Sequence, residues 1–176
     1  SVTDESGSTQ YAYDGRGNVT CKAVTITGND WGQSTVWRTH YAYDGADRMT
    51  EMTYPSGTVV RYLRNSAGRV SEVTAAPDGV THQTVVSNVA YAPFGPVTAW
   101  TYRNGADTAV RELDRAYRVK ALQYQESPTT VHKDWLLGRD KAGNVVSWDH
   151  ALEPWWSSTY AYDGNARLDL ETYDTW

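Results

Sequence analysis

The apolar residues of this chain fall in short runs rather than on a helical stripe. Thr58-Val59-Val60-Arg61-Tyr62-Leu63 and Val97-Thr98-Ala99-Trp100-Thr101-Tyr102 are rich in β-branched and aromatic side chains, and both are read as strands. No long segment carries a 3.6-residue apolar period. The best helical candidate is Thr108 to Val119, with Glu112 and several arginines. Its apolar positions form no sustained stripe and it overlaps a repeat described below, so helix is the less favoured reading. Pro55-Ser56-Gly57, Pro77-Asp78-Gly79 and Asn104-Gly105 punctuate these runs as turns, and Asn-Gly is the strongest short hairpin signal.

A second punctuation repeats. Tyr11-Ala12-Tyr13-Asp14-Gly15 recurs as Tyr41-Ala42-Tyr43-Asp44-Gly45 and as Tyr160-Ala161-Tyr162-Asp163-Gly164. Written as Tyr-Asp-x-x-Gly-Arg-apolar, the unit can be slid along the chain. Degenerate copies lie at Arg64-Asn65-Ser66-Ala67-Gly68-Arg69-Val70 and Tyr91-Ala92-Pro93-Phe94-Gly95-Pro96-Val97. Two more lie at Leu113-Asp114-Arg115-Ala116-Tyr117-Arg118-Val119 and Arg139-Asp140-Lys141-Ala142-Gly143-Asn144-Val145. The Asp-equivalent positions are 14, 44, 65, 92, 114, 140 and 163, with spacings of 30, 21, 27, 22, 26 and 23. Asp or Asn can bond its own backbone two residues on and start a turn, and Gly supplies positive φ without a steric penalty. The repeat is therefore a hairpin corner. The structural positions are Tyr13, Asp14, Gly17, Tyr43, Asp44, Arg48, Asn65, Gly68, Arg69, Tyr91, Gly95, Asp114, Arg118, Asp140, Gly143, Tyr162, Asp163 and Arg167. Two turn types alternating along the chain imply one all-β domain over residues 1–176, a long hairpin meander.

Composition refines this. Trp 8 and Tyr 13 against Phe 1 suit a half-buried sheet, where a ring packs and its polar end stays wet. Packing between strands is the first explanation of these aromatics, and sugar stacking the sharper one. A chain of 176 residues is one domain in size and can bury a reasonable core. The net charge of -5 and pI near 5.3 argue against nucleic acid as main partner, since phosphate binding needs a basic face. No apolar run reaches membrane-spanning length. The chain opens on Ser1 and closes on Trp176 soon after its last repeat. It reads as a piece of a longer protein, so the absence of a signal peptide says nothing about export.

Catalytic signals are lacking. Cys21 has no cysteine partner in the chain, and no histidine lies near it in sequence. His40, His82, His132 and His150 are far apart and without zinc-site spacing. There is no Gly-x-Ser-x-Gly elbow and no phosphate-cradling loop. A catalytic residue is needed once, whereas the corner Asp recurs, so it is read as structural. No catalytic, cofactor-binding or metal residues are assigned. Asn18-Val19-Thr20 is formally a glycosylation acceptor within a turn. Glu153-Pro154-Trp155-Trp156 is the least repeat-like aromatic cluster. Trp155 and Trp156 are the candidate binding surface, with a tryptophan plug on a hairpin layer as the structural alternative.

The Tyr-Asp-x-x-Gly-Arg-Leu unit resembles the YD repeat of the Rhs family, which includes bacterial polymorphic toxins, the C component of Tc toxins and animal teneurins. The resemblance runs from Tyr11 to about Tyr173, with Ala92, Leu113, Arg64 and Arg139 as departures. It implies a curved or spiralling antiparallel sheet like the family's shells, here an open segment with too few repeats for a closed cage. It further implies a non-enzymatic wall segment of a secreted or injected toxin, exported by a bacterium. The partners implied are neighbouring repeats of a parent chain, identical copies, or an enclosed toxin domain. The self-cleaving core of the family carries Asp-Pro-x-Gly, and this chain has no Asp-Pro. The alternative is a cell-surface module binding glycan or a receptor. Exposed strand edges imply association with copies or a larger assembly.

Overall fold

The computed structural model describes residues 1–28, 34–102, 105, 107–127 and 130–173. Asn104 of the expected Asn104-Gly105 turn, the side chain of His132, and Trp176 lie outside the described residues. The strands are β1 (Val2–Asp4), β2 (Gly7–Tyr13), β3 (Val19–Ile26), β4 (Thr35–Tyr43), β5 (Met49–Thr53), β6 (Val59–Arg64), β7 (Val70–Ala76) and β8 (Gln83–Tyr91). They continue as β9 (Val97–Tyr102), β10 (Asp107–Leu113), β11 (Val119–Ser127), β12 (Thr130–Arg139), β13 (Val145–His150), β14 (Ser158–Tyr162) and β15 (Leu168–Tyr173). All 15 belong to one sheet in which hydrogen-bonded neighbours follow chain order. The pairing is antiparallel, as hairpin connections require. The fold is thus the expected all-β meander. The helical candidate at Thr108 to Val119 is β10, a corner and the first residue of β11. No helix among the described residues is long and apolar enough to cross a membrane.

The chain separates into two compact units, Ser1–Val85 and Val86–Trp176. In the first, the corners at Asp14, Asp44 and Asn65 join β2–β3, β4–β5 and β6–β7. In the second, those at Ala92, Asp114, Asp140 and Asp163 join β8–β9, β10–β11, β12–β13 and β14–β15. Two strands separate successive corners. In an up-and-down meander this puts all the corners of a unit at the same end of its strands, which is why their side chains can meet.

The length permits a reasonable core, but little apolar surface is fully enclosed among the described residues. Among the described residues, the buried apolar ones are alanines: Ala76, Ala92, Ala109 and Ala121. β3, β5 and β9 are half-buried along almost their whole length instead of alternating buried and exposed. Large side chains lie on both faces and shield the ladder without being enclosed. Trp37, Trp148, Trp155 and Trp156 are all among the exposed large side chains. The backbone ladder and the corners therefore carry a larger share of the order than in a two-layer protein.

The corner backbone is constant. In every copy the Asp-equivalent N–H donates to the carbonyl four residues on, and its own carbonyl accepts from the N–H three residues on. Asp14 N to Asn18 O is 2.9 Å and Gly17 N to Asp14 O is 3.1 Å, and the same pair recurs at 44, 65, 92, 114, 140 and 163. The residue before each corner opposes the apolar position, and the next pair along skips one residue, a β-bulge. Tyr13 faces Val19, Tyr43 faces Met49, Arg64 faces Val70, Tyr91 faces Val97, Leu113 faces Val119, Arg139 faces Val145 and Tyr162 faces Leu168. The Pro55-Ser56-Gly57 turn, expected to be of another kind, uses the same two backbone bonds, from Tyr54 to Thr58 and from Gly57 to Tyr54. It lacks the bulge and the carboxylate.

The fourth corner position takes positive φ at Gly17, Gly68 and Gly143, and also at Asp47, Tyr117 and Ala166. At Ala166, φ is 58 and the side chain is small. A left-handed non-glycine residue costs about 1–2 kcal/mol. Ala166→Gly is therefore expected to raise the urea midpoint, with a gain in unfolding free energy of about 1 kcal/mol once the extra freedom of unfolded glycine is subtracted. An unchanged or lower midpoint would count against strain at this position.

Candidate functional site: the repeat corners and a tryptophan cluster

Each corner carboxylate works on its own loop. Asp44 Oδ1 accepts from the N–H groups of Ala46 (2.9 Å) and Arg48 (3.0 Å), while Oδ2 accepts from Arg48 Nε at 2.8 Å. Asp114 and Asp163 repeat this with Arg118 and Arg167, each Nε–Oδ2 distance being 2.7 Å. At Asp14 and Asp140 an asparagine replaces the arginine: Asn18 Nδ2 at 3.1 Å and Asn144 Nδ2 at 2.9 Å. Asn65 keeps the Oδ1 bonds to the N–H groups of Ala67 and Arg69. Ala92, which has no side-chain acceptor, keeps the backbone pair, with longer bonds of 3.1 and 3.2 Å.

These bonds hold the carboxyls below their ordinary pKa of 3.8. The Asn18 side chain is the largest cause at Asp14, and the Arg48 side chain at Asp44, which falls to about 2. Asp114 and Asp163 are lowered first by the backbone N–H of Arg118 and Arg167, and Asp140 by the Asn144 side chain. Asp78, in the β7–β8 turn, is lowered to about 2 by the N–H groups of Val80 and Thr81. A carboxylate saturated in this way is a fastener and a poor general base.

Successive corners are also joined. The Tyr43 hydroxyl donates to Val19 O at 2.9 Å, and the Tyr162 hydroxyl to Val145 O at 2.8 Å. Both acceptors sit at the apolar position of the preceding corner. Arg64 and Arg139, the departures from Tyr, make the same connection: Arg64 Nη2 to Met49 O at 2.9 Å and Arg139 Nη2 to Val119 O at 3.3 Å. Leu113 has no group that could do so. Contacts also run the other way, toward the following corner. Arg16 Nη1 donates to Gly45 O at 2.8 Å, and Asn18 Nδ2 to Asp47 Oδ1 at 2.8 Å. A Cβ on Gly68 would strike the Arg48 guanidinium, and one on Gly143 that of Arg118. Gly95 lies under the Tyr117 ring, where a Cβ would come within 3.4 Å of Cδ1. Sequence reading missed the part played by Arg64 and Arg139. Their place in the Tyr column was the available signal.

The tryptophan cluster is separate from these corners. Trp155 and Trp156 sit on a 3-10 turn, Pro154–Trp156, between β13 and β14. The Trp156 ring lies 6.2 Å from His150, which also meets Trp135 edge-on at 5.5 Å. His150 is 1 % exposed, and its Nδ1 accepts from the N–H of Glu153 at 2.8 Å, tying down the turn. The two tryptophans remain 42 % and 59 % exposed, so the turn anchors them without covering them. In β3, Cys21 is half-buried with His40 opposite it on β4, a neighbour hidden by sequence distance. Among the described residues no hydrogen bond joins them and no His/Cys/Asp/Glu group is placed to hold a metal ion. Asn18, the formal glycosylation acceptor, already spends its amide on Asp14 and Asp47.

Acid-capped, bulged corners tied to their neighbours recur as one unit along the chain. Residues 33–59 and again 43–81 match the RHS Repeat family. Among solved structures it is similar to a TcdB2-TccC3-Cdc42 crystal structure (TM-score 0.76, 18% identity) and a TcdB2-TccC3-TEV crystal structure (0.75, 19%). It is also similar to a mutant Photorhabdus luminescens Tc holotoxin pore (0.77, 19%). The matches cover 94%, 91% and 94% of this chain respectively. The chain spans 9% of the length of each of those chains. A search of the curated proteins finds no match.

Proposed function

We propose that residues 1–176 act as one non-enzymatic repeat domain, a stretch of shell wall in a secreted or injected bacterial Rhs-type toxin. The observation that carries this is the identical corner backbone at all seven registers, joined corner to corner through Tyr43, Arg64, Arg139 and Tyr162. In this reading the partners are flanking repeats and an enclosed toxin polypeptide. The repeat positions, from Tyr13 and Asp14 to Asp163 and Arg167, serve the wall. The test is protease protection on the assembly purified from the bacterium that makes it. A polypeptide that survives protease at neutral pH and is digested once the shell is opened supports the reading. An assembly that protects nothing overturns it.

The exposure of Trp155 and Trp156 favours a second reading, a surface that stacks on glycan or a receptor. A Trp155→Ala/Trp156→Ala double variant that still folds is expected to lose glycan-array signal at least about tenfold, a difference of about 1.4 kcal/mol. Arrays silent for the parent chain remove glycan from this reading.

A further inference from the structure

β4 outruns its neighbour on one side. It pairs with β3 from Thr35 to His40, but with β5 only from His40 to Tyr43. β5 ends at Thr53, and the chain turns back at Tyr54 through its bond to Thr58. Among the described residues, Thr35 to Thr39 therefore have no strand partner on the β5 side. Asp44 turns its N–H into the β4–β5 corner. Alternation back along the extended strand sends the N–H and C=O groups of Val36 and Arg38 to that same side. An unpaired row of this kind is a template for another strand.

This edge borders an open cleft of about 390 Å³ whose walls include Trp37, Arg38, His40, Tyr54, Pro55 and Gly57. Trp37 and Tyr54 are both exposed. Arg38 makes no ion pair or side-chain hydrogen bond among the described residues. Trp37 and Arg38 are consecutive on a strand and so face opposite sides of the sheet. A strand laid along the edge would present its own alternate residues to those two sides.

We infer that this notch binds an extended peptide by strand addition, its backbone pairing with Val36 and Arg38. A carboxylate of the peptide meets Arg38, and an adjacent apolar side chain meets Trp37 and Tyr54. Three features converge on that ligand class: the free backbone edge, the uncompensated cation and the aromatic wall. A sugar would use the wall and leave the backbone edge unpaired.

The probe is a fluorescein-labelled peptide of alternating valine and glutamate, followed by fluorescence polarisation against the intact chain. Saturable binding below about 1 mM is expected, weakened at least about tenfold by Arg38→Glu and by Trp37→Ala. Arg38→Gln serves as a milder variant should Arg38→Glu fail to fold. N-methylation of every second amide in one register abolishes binding, while methylation in the other register leaves it intact. The alternating valine–lysine peptide binds at least about tenfold more weakly. Binding indifferent to methylation register or to residue 38 overturns the inference. So does an inert peptide probe, including one alongside laminarin or cellohexaose binding that Trp37→Ala abolishes.

Discussion

Arg64→Ala is expected to lower unfolding free energy by about 1–3 kcal/mol, the range for removing a partner from buried polar groups. Arg64 donates to Met49 O of the preceding corner and to Gly68 O of its own, at 2.9 and 3.3 Å. Alanine strands both carbonyls and removes the aliphatic stem that covers them. The informative companion is Arg64→Tyr, which installs the residue that the repeat carries at positions 43 and 162. There the hydroxyl reaches the equivalent carbonyl at 2.9 and 2.8 Å. Arg64 also buries its Nε without a partner, and tyrosine removes that orphan donor. Arg64→Tyr is therefore expected to stay within about 1 kcal/mol of the parent in urea unfolding. If Arg64→Tyr falls as far as Arg64→Ala, the two side chains are not equivalent links and the corner-to-corner account fails.

That equivalence marks where sequence reading stops. The corners were legible because Asp, Asn and Gly act on their own backbone within four residues, so the signal and its effect are local. The strands were legible from Thr, Val, Trp and Tyr. The link made by Arg64 was not, because its acceptor is the carbonyl of Met49, and a carbonyl carries no side-chain signature. The kinship of Tyr54–Thr58 with the repeat corners was hidden for the same reason: its two bonds are purely backbone. How little of the core is enclosed was not legible, because aromatic and β-branched residues signal a strand without saying whether anything packs over it. The anchoring of Trp155 and Trp156 depends on His150, whose Nδ1 takes a proton donor from the turn. Nothing about an isolated histidine announces that.

Acid should melt this protein through its corners. Asp14, Asp44, Asp78, Asp114, Asp140 and Asp163 all titrate below 3.8 in the folded chain, two of them at about 2. A carboxyl whose folded pKa lies below its unfolded value binds protons more readily when unfolded. Its stabilisation is complete above the unfolded pKa and is lost as pH falls through the folded one. The melting temperature is therefore expected to be nearly level from pH 7 to about 5, then to fall steeply between about pH 4 and 2. The corners act in parallel, so the slope reports several protons taken up on unfolding. Asn65 shows what a corner without a titrating group looks like: its side-chain oxygen holds the same two N–H groups at 3.0 and 3.1 Å. Asp44→Asn/Asp114→Asn/Asp163→Asn should copy that state three times. The variant loses the second carboxylate oxygen that accepts from Arg48, Arg118 and Arg167, so it melts lower at pH 7. It also loses three of the groups that make acid destructive, so its curve is flatter below pH 4 and approaches the parent near pH 2. A variant curve parallel to the parent's through the acid range would place the acid sensitivity elsewhere in the sheet. High salt separates the two parts of the effect, because it screens the exposed arginine pairs while leaving the backbone N–H bonds to Oδ1 in place. The acid slope that survives in salt is the part owed to the turns themselves.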